Sequence, residues 1–436
     1  MKPTLFRLGL ASVALVFTDG CTATRSTDID AMSPPPADAT PATNRALPSN
    51  ASLDALVRHA LTHNPTMVAA KARIQRMEAK APQARALPDP MAMVSVGSMA
   101  ETAAGRVTSM SGLQQKLPLP GKLSAKGRMA DEEAKAARAM RDAQALTIAT
   151  QVRSAYWDLY AANSSIRILN ESRRLLSSVQ SAVEARLKTN RATQADLLHA
   201  TTEIARIDEQ LLNAQSDRLI ATSRLNTLLH RSADAPLPAP KWSASIGSLP
   251  SQTALESHPS IAEAEARLRQ FNAQLKLAHL ERLPDLTLGL QHASVANSGL
   301  SRVTNGRDQI YGTLGFNIPL WQEPRRAAER EARSGIDESH ATLEATRDEL
   351  AYQLAQTHSQ VETQKQLIRL FDDRILADAR QTFDVSLGGY TAGNITFIEV
   401  LDRWRSWLGY QLQQERNRAL LGKSAAAWHQ AAGLVP

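Results

Sequence analysis

The chain is short of the residues that carry chemistry. Among its 436 residues there is one cysteine, Cys21, which excludes an intramolecular disulfide and a thiolate cluster for metal. Aromatic residues make up only 4%. The 50 Lys and Arg are interleaved with 43 Asp and Glu, so the net charge of +7 forms no basic block or basic–aromatic stripe, and nucleic acid is not an expected partner. There is no Gly-rich phosphate loop, no nucleophile elbow and no paired-His zinc motif, and the ten histidines are scattered. The sequence therefore points away from an enzyme and calls for no cofactor; any energy source would have to sit in a partner. After the N-terminal segment, no apolar run is long enough for a transmembrane helix.

Long tracts of Ala, Leu, Gln, Glu and Arg favour helix instead. At the N-terminus, Lys2 and Arg7 precede an apolar run from Leu8 to Phe17, the length of a signal-peptide core and too short to span a bilayer. Residues 1–21 read as an export signal. Cys21, at its end, suggests an acylated lipoprotein N-terminus, although Thr18 and Asp19 depart from the usual residues before such a cysteine. The alternative is ordinary cleavage nearby and a spare thiol. Residues 22–50, rich in Thr, Ser, Ala, Asp and Pro, read as a flexible leader.

The remainder is organised as a duplication. "ALTHNP" at 60–65 returns as "ALESHP" at 254–259, "ALPDP" at 86–90 as "RLPDL" at 282–286, and "LQQKLPLPGK" at 113–122 as "LGFNIPLWQEPRR" at 314–326. Each half has the same predicted order: a helix (about 52–82, then 252–282), two alternating segments, a very long helix (about 123–188, then 325–389), a turn, and another long helix (about 193–230, then 396–430). The expected domains are thus a first repeat at 51–230, a Pro/Ser-rich linker at 231–250 and a second repeat at 251–436.

Both turns have one chemistry. Asn190 and Gly393 suit the left-handed residue that ends a helix. Thr193 and Thr396 suit the next N-cap, and Asp196 and Glu399, three residues on, complete a capping box. Each stretch reads as the tip of a helical hairpin. Leu197, Ala200, Ile204, Ile207, Leu211, Ala214, Ala221, Leu225 and Leu228 step by three and four residues. So do Val152, Ala155, Leu159, Ala162, Ile166, Leu169, Leu176, Val183 and Leu187. A 3.5-residue period means coiled-coil packing, and helices of this length need a rod or a tube.

The alternating segments carry one apolar and one small-polar face. Leu286, Leu288 and Leu290 oppose Thr287, Gly289 and Gln291. Leu314, Phe316 and Ile318 oppose Thr313, Gly315 and Asn317. Ala92, Val94 and Val96 share a face, and Val107, Leu113, Gln115 and Leu117 share another. This is the pattern of outer-membrane barrel strands, and also of an ordinary half-buried sheet. Four strands cannot close a barrel, so membrane-spanning strands would require several protomers to share one.

Together these features resemble the TolC-like outer-membrane efflux proteins, from about residue 52 to 432. "QKLPLPGKL" at 115–123 is most similar to the heavy-metal-export branch of the CusC and CzcC type. The resemblance implies a mainly α fold with a small β part. A homotrimer would build a transmembrane β-barrel, four strands per subunit, above a long α-helical coiled-coil barrel in the periplasm. It implies a passive exit duct, self-assembled in outer-membrane lipid and reached through a periplasmic adaptor protein and an inner-membrane efflux pump. It further implies adaptor contact at Asn190, Arg191, Thr193, Gly393, Asn394 and Thr396, beyond their role in ending helices. Asp384 would be a periplasmic gate carboxylate; the plain alternative is an exposed helix residue. Met91, Met93, Met99 and Met110 offer thioethers suited to Cu(I), but strand methionine is more often filler, and no metal ligand is assigned. Trp404 and Trp407 read as packing residues. The competing reading is a soluble periplasmic coiled-coil adaptor or scaffold. It would need a lipoyl-like β domain beside a single hairpin.

Overall fold

The computed structural model describes residues 52–97, 101–242 and 252–434. The first half opens with three short helices, α1 (Leu53–His63), α2 (Pro65–Glu78) and α3 (Lys80–Arg85), where the sequence suggested one. Pro65 causes the first break. A residue before proline is driven out of the helical region, and Asn64 accordingly lies at ψ 128°. Asn64 then caps α2, accepting from Thr66 N at 2.9 Å, while its amide donates to Leu228 O at 2.9 Å. His258 does the same before Pro259. Its Nδ1 accepts from Ser260 N at 3.1 Å, so Nε2 carries the proton donated to Gln430 O, also at 3.1 Å. Burial holds His258 below the ordinary histidine value, in keeping with that neutral tautomer. The repeated Asn-Pro and His-Pro entries thus start one helix and anchor the end of another.

Strands β1 (Met91–Val96), β2 (Glu101–Thr102) and β3 (Gly105–Leu117) follow, then the 67-residue helix α4 (Lys122–Lys188) and α5 (Gln194–Leu228). The second half has a 3₁₀ turn (Gln252–Ser257), α6 (Pro259–Glu281), β4 (Leu286–Val295), β5 (Gln309–Phe316), α7 (Gln322–Leu370), a π-helical turn (Phe371–Ile375), α8 (Leu376–Ala392) and α9 (Phe397–Ala431). At 1.5 Å per residue α4 is roughly 100 Å long. It pairs with α5 in one hairpin, α9 pairs with α7 and α8 in the other, and α4 and α9 join the two. Toward the tips, Leu169, Leu176 and Val183 of α4, Ile207 of α5, Phe383 of α8, and Phe397 and Trp404 of α9 form a single core. The a and d positions read from the sequence are buried or half-buried throughout α4 and α5.

One expectation for the second half needs correction. The tract at 325–389 is not one regular helix, because the π turn divides it. Asp372 in that turn accepts from Gln414 Nε2 at 2.5 Å and from Arg418 Nη2 at 3.0 Å, both on α9.

The sheet is antiparallel with order β1–β3–β4–β5, so β1 and β5 are its free edges. Beyond the four expected strands, β2 pairs with the far end of β3, continuing the edge that β1 begins. Register places Ala92, Leu113, Leu290 and Gly312 in one row, and Leu117, Leu286 and Phe316 in another on the same face. Leu113, Leu286, Leu288, Leu290, Ile310, Leu314 and Phe316 of this face are exposed. The opposite face carries Gln114, Gly289 and Thr313, then Gly112, Gln291 and Tyr311, with the Tyr311 hydroxyl donating to Gln291 Oε1 at 2.7 Å. Val107 does not share the apolar face of Leu113 as its parity suggested. A β-bulge between Val107 and Ser109 reverses the alternation and turns Val107 into a small cluster with Ala293 and Val295.

Candidate functional site

The two hairpin tips are built as the sequence requires. Asn190 is left-handed at φ 56° and Gly393 at φ 84°. Arg191 N donates to Arg186 O at 2.8 Å, and Asn394 N donates to Gly389 O at 2.9 Å, so both helix ends close in the same way. Asp196 N donates to Thr193 Oγ1 at 3.1 Å, and Thr193 N donates to Asp196 Oδ2 at 2.9 Å. At the second tip the Glu399 carboxylate accepts from both the N–H and the hydroxyl of Thr396, at 2.8 and 2.7 Å. Asn190, Arg191, Thr193, Gly393, Asn394 and Thr396 are all exposed. The structure brings the two tips together on one chain.

Their link is Arg186, which motif reading missed. Its Nη1 donates to Thr391 O of the second tip at 3.0 Å, and its guanidinium lies 4.9 Å over the Tyr390 ring. Burial, then the Asp196 carboxylate, raises the Tyr390 phenol above its ordinary value. Farther from the tips, Arg405 donates from Nε and Nη2 to Glu203 Oε2 at 3.0 and 2.5 Å, joining α9 to the buried carboxylate of α5. Such cross-hairpin arginines carry no local signature, since each lies roughly 200 residues from its partner.

Asp384 sits on α8 with its side chain half exposed and accepts from Arg380 Nε at 2.9 Å, an ordinary i,i+4 pair. Arg380 also lies 4.6 Å over the Trp407 ring, which stacks on Phe383. Trp404 and Trp407 are buried packing residues, as expected.

A further polar junction lies where strands become long helices. Lys122 Nζ donates to Asp285 Oδ1 at 2.6 Å and to Leu283 O at 2.8 Å, and Leu119 N donates to the same carboxylate at 3.0 Å. The side chains of Lys122 and Asp285 are only 7% and 12% exposed. Burial alone would raise the Asp285 carboxyl; the Lys122 and Leu119 hydrogen bonds outweigh it and hold Asp285 below its usual value. Strand ends and helix starts here line a cavity of about 930 Å³, with Asp89, Lys116, Lys126 and Arg325 among its walls.

Met91, Met93 and Met110 stand on the polar sheet face, Met93 opposite Gly112 and Met110 opposite Ser95. Met99 and Cys21 lie outside the described residues. Among the described residues no group of three His, Cys, Asp or Glu could hold a metal ion, and no helix is long and apolar enough to cross a membrane.

The model of the family described as outer membrane efflux protein matches residues 56–230 and 251–434. The chain belongs to that family. The pyoverdine export outer membrane protein OpmQ of Pseudomonas putida is 29% identical over 303 residues, 67% of this chain and 62% of that protein, so the match spans less than two thirds of that relative. OpmQ of Pseudomonas aeruginosa is 27% identical over 81% of this chain and 79% of its own length. The cobalt-zinc-cadmium resistance protein CzcC of Cupriavidus metallidurans is 24% identical over 81% of this chain and 83% of its own. Among solved structures, CusC superimposes with a TM-score of 0.76 at 19% identity, covering 87% of this chain and 92% of that one. The outer-membrane channel OprN gives 0.76 at 19% identity, covering 87% and 89%. The fold is therefore that of the TolC-like channels, the family resides in the outer membrane, and its members are channel proteins rather than enzymes. The soluble-adaptor reading falls to this match, which takes in both hairpins and the sheet.

Proposed function

We propose that this chain is the passive exit duct of a tripartite efflux system. Three copies would share one twelve-stranded barrel, continued into the periplasm by their hairpins. The sheet carries this reading most directly. Its leucines and Phe316 are exposed, its other face carries Gln114, Gln291, Thr313 and Tyr311, and among the described residues neither edge has a further strand. An exposed apolar band on a short-stranded sheet is costly in water and suited to lipid, while open edges call for further strands. Pyoverdine and cobalt, zinc and cadmium appear in the names of relatives of similar identity. One duct architecture thus serves unlike cargo, and the choice belongs to the pump. Fractionation tests the reading: the protein should stay in the outer membrane through salt and carbonate washes and run as a trimer with a bore in mild detergent. A washed-out monomer would end it.

The exposed tips are the surface we assign to the periplasmic adaptor. Paired caps and the Arg186 clasp hold Asn190, Arg191, Thr193, Gly393, Asn394 and Thr396 in fixed positions, which lowers the ordering cost of docking. Asp384 is the proposed gate. Three symmetry-related carboxylates near an axis repel unless cations or neighbouring donors separate them. Asp384→Ala is expected to admit bulky antibiotics inward, read as increased susceptibility with unchanged protein level; unaltered susceptibility would remove Asp384 from this role.

A further inference from the structure

Two contacts inside the chain have counterparts that the chain leaves open. The N-cap of α4 is Gly121, and a Cβ there would meet Leu280 Cδ1 of α6 at 3.2 Å. The N-cap of α7 is Trp321, 79% exposed. Leu280 precedes the Asp of its Leu-Pro-Asp motif by as many residues as Ala84 precedes Asp89. A small residue under a large one in the first case becomes a large residue facing a small one in the second.

The same exchange recurs far down the hairpins. Gly422 of α9 lies beneath Trp157 of α4, so close that an added Cβ would fall 2.1 Å from Trp157 Cε2. Ile148, Val152 and Leu159 in the core of α4 match Leu350, Leu354 and Val361 in α7 at one constant spacing, and that spacing puts exposed Ser359 in the place of Trp157. The N-caps Thr193 and Thr396 put Leu219, 64% exposed, in the place of Gly422. Leu212 and Ile220, also exposed, correspond to Glu415 and Lys423, which engage Tyr160 and Asp158 of α4. The chain thus contains one copy of a first-half/second-half seam and the two unmatched halves of another.

We infer that a second copy of this chain supplies the missing halves, with Trp321 of one copy over Ala84 of the next and Ser359 against Leu219. The contact joins different surfaces of two identical chains, runs in one direction, and closes by rotation into a ring. At both sites the large and the small residue change sides, so each contact still sets one large side chain against a small one, as close packing demands. The inference rests on the proposed homotrimer and adds which residues meet in it.

Paired cysteines test it in the full-length protein. Leu219→Cys with Ser359→Cys should give covalent dimers and trimers under mild oxidation, reversed by reductant. Each single variant should match the parent, which controls for Cys21. A double variant that sizes as a trimer yet stays unlinked would overturn the seam and leave the trimer standing; a particle that sizes as a monomer would overturn both. Cross-linking by a single variant would indicate a two-fold contact and overturn it as well. A second measurement does not depend on cysteine. Ala84→Leu alone should lower trimer yield about fivefold or more through overpacking, and adding Trp321→Gly, which copies the internal pair, should restore it. Failure of that restoration counts against the seam.

Discussion

Replacing Asp285 with alanine should cost about 3–5 kcal/mol of stability, the range for breaking a buried ion pair from one side. The substitution leaves the Lys122 ammonium enclosed without its counter-charge and removes the acceptor for Leu119 N. These groups fix the point where β3 turns into α4 and α6 runs into β4, so strands and helices should lose their common registration. The apparent unfolding midpoint of the detergent-solubilised protein measures the effect. Asp285→Leu with Lys122→Met should be milder than Asp285→Ala, because no charge is then left alone. Acid offers an independent check. The folded carboxyl lies below its unfolded value of about 3.9, so its contribution is complete above that value and is lost as pH falls through the folded one. The midpoint should therefore drop below roughly pH 4 in the parent and more shallowly in Asp285→Asn. Equal slopes would show that the pair does not support the junction.

Much of this architecture was legible in the sequence because it rests on local rules. The tips follow from left-handed-tolerant residues and carboxylates three positions beyond threonine, and the structure supplies each hydrogen bond. Coiled-coil positions were readable because the 3.5-residue period repeats over many turns. The remaining features depend on distant partners or on a single extra residue. Arg186 and Arg405 look like surface charges until a hairpin roughly 200 residues away comes alongside. The bulge that turns Val107 inward leaves no mark on the alternation of its own strand. The π turn lies in "FDDRI", which reads as ordinary helix. Its trace is a step in the duplication: Val361 lies 202 residues beyond Leu159, whereas Tyr390 lies 203 beyond Leu187. The wider turn absorbs that residue. The first hairpin keeps an unbroken α4, so the two hairpins are related but mechanically unequal.

Gly393→Val should abolish efflux, whereas Gly393→Asn should largely preserve it. At φ 84° a side chain is strained, and a β-branched one most of all, at roughly 1–2 kcal/mol or more for leaving the left-handed region to glycine. Asparagine tolerates that conformation, and Asn190 adopts it at the matching position of the first tip. Nothing lies within 4 Å of a Cβ built on Gly393, so the valine penalty is one of backbone shape and not of collision. The strained turn would shift Asn394 and Thr396, and the Glu399 cap that orders them, against Asn190 and Thr193. Both variants should fold and reach the membrane, because the core around Phe397 and Trp404 is untouched. Capture of the cognate periplasmic adaptor, together with growth on compounds that inhibit a deletion strain, gives the readout. Valine should lose both and asparagine should keep both. If the two variants behave alike, the shape of this tip is not what the adaptor reads.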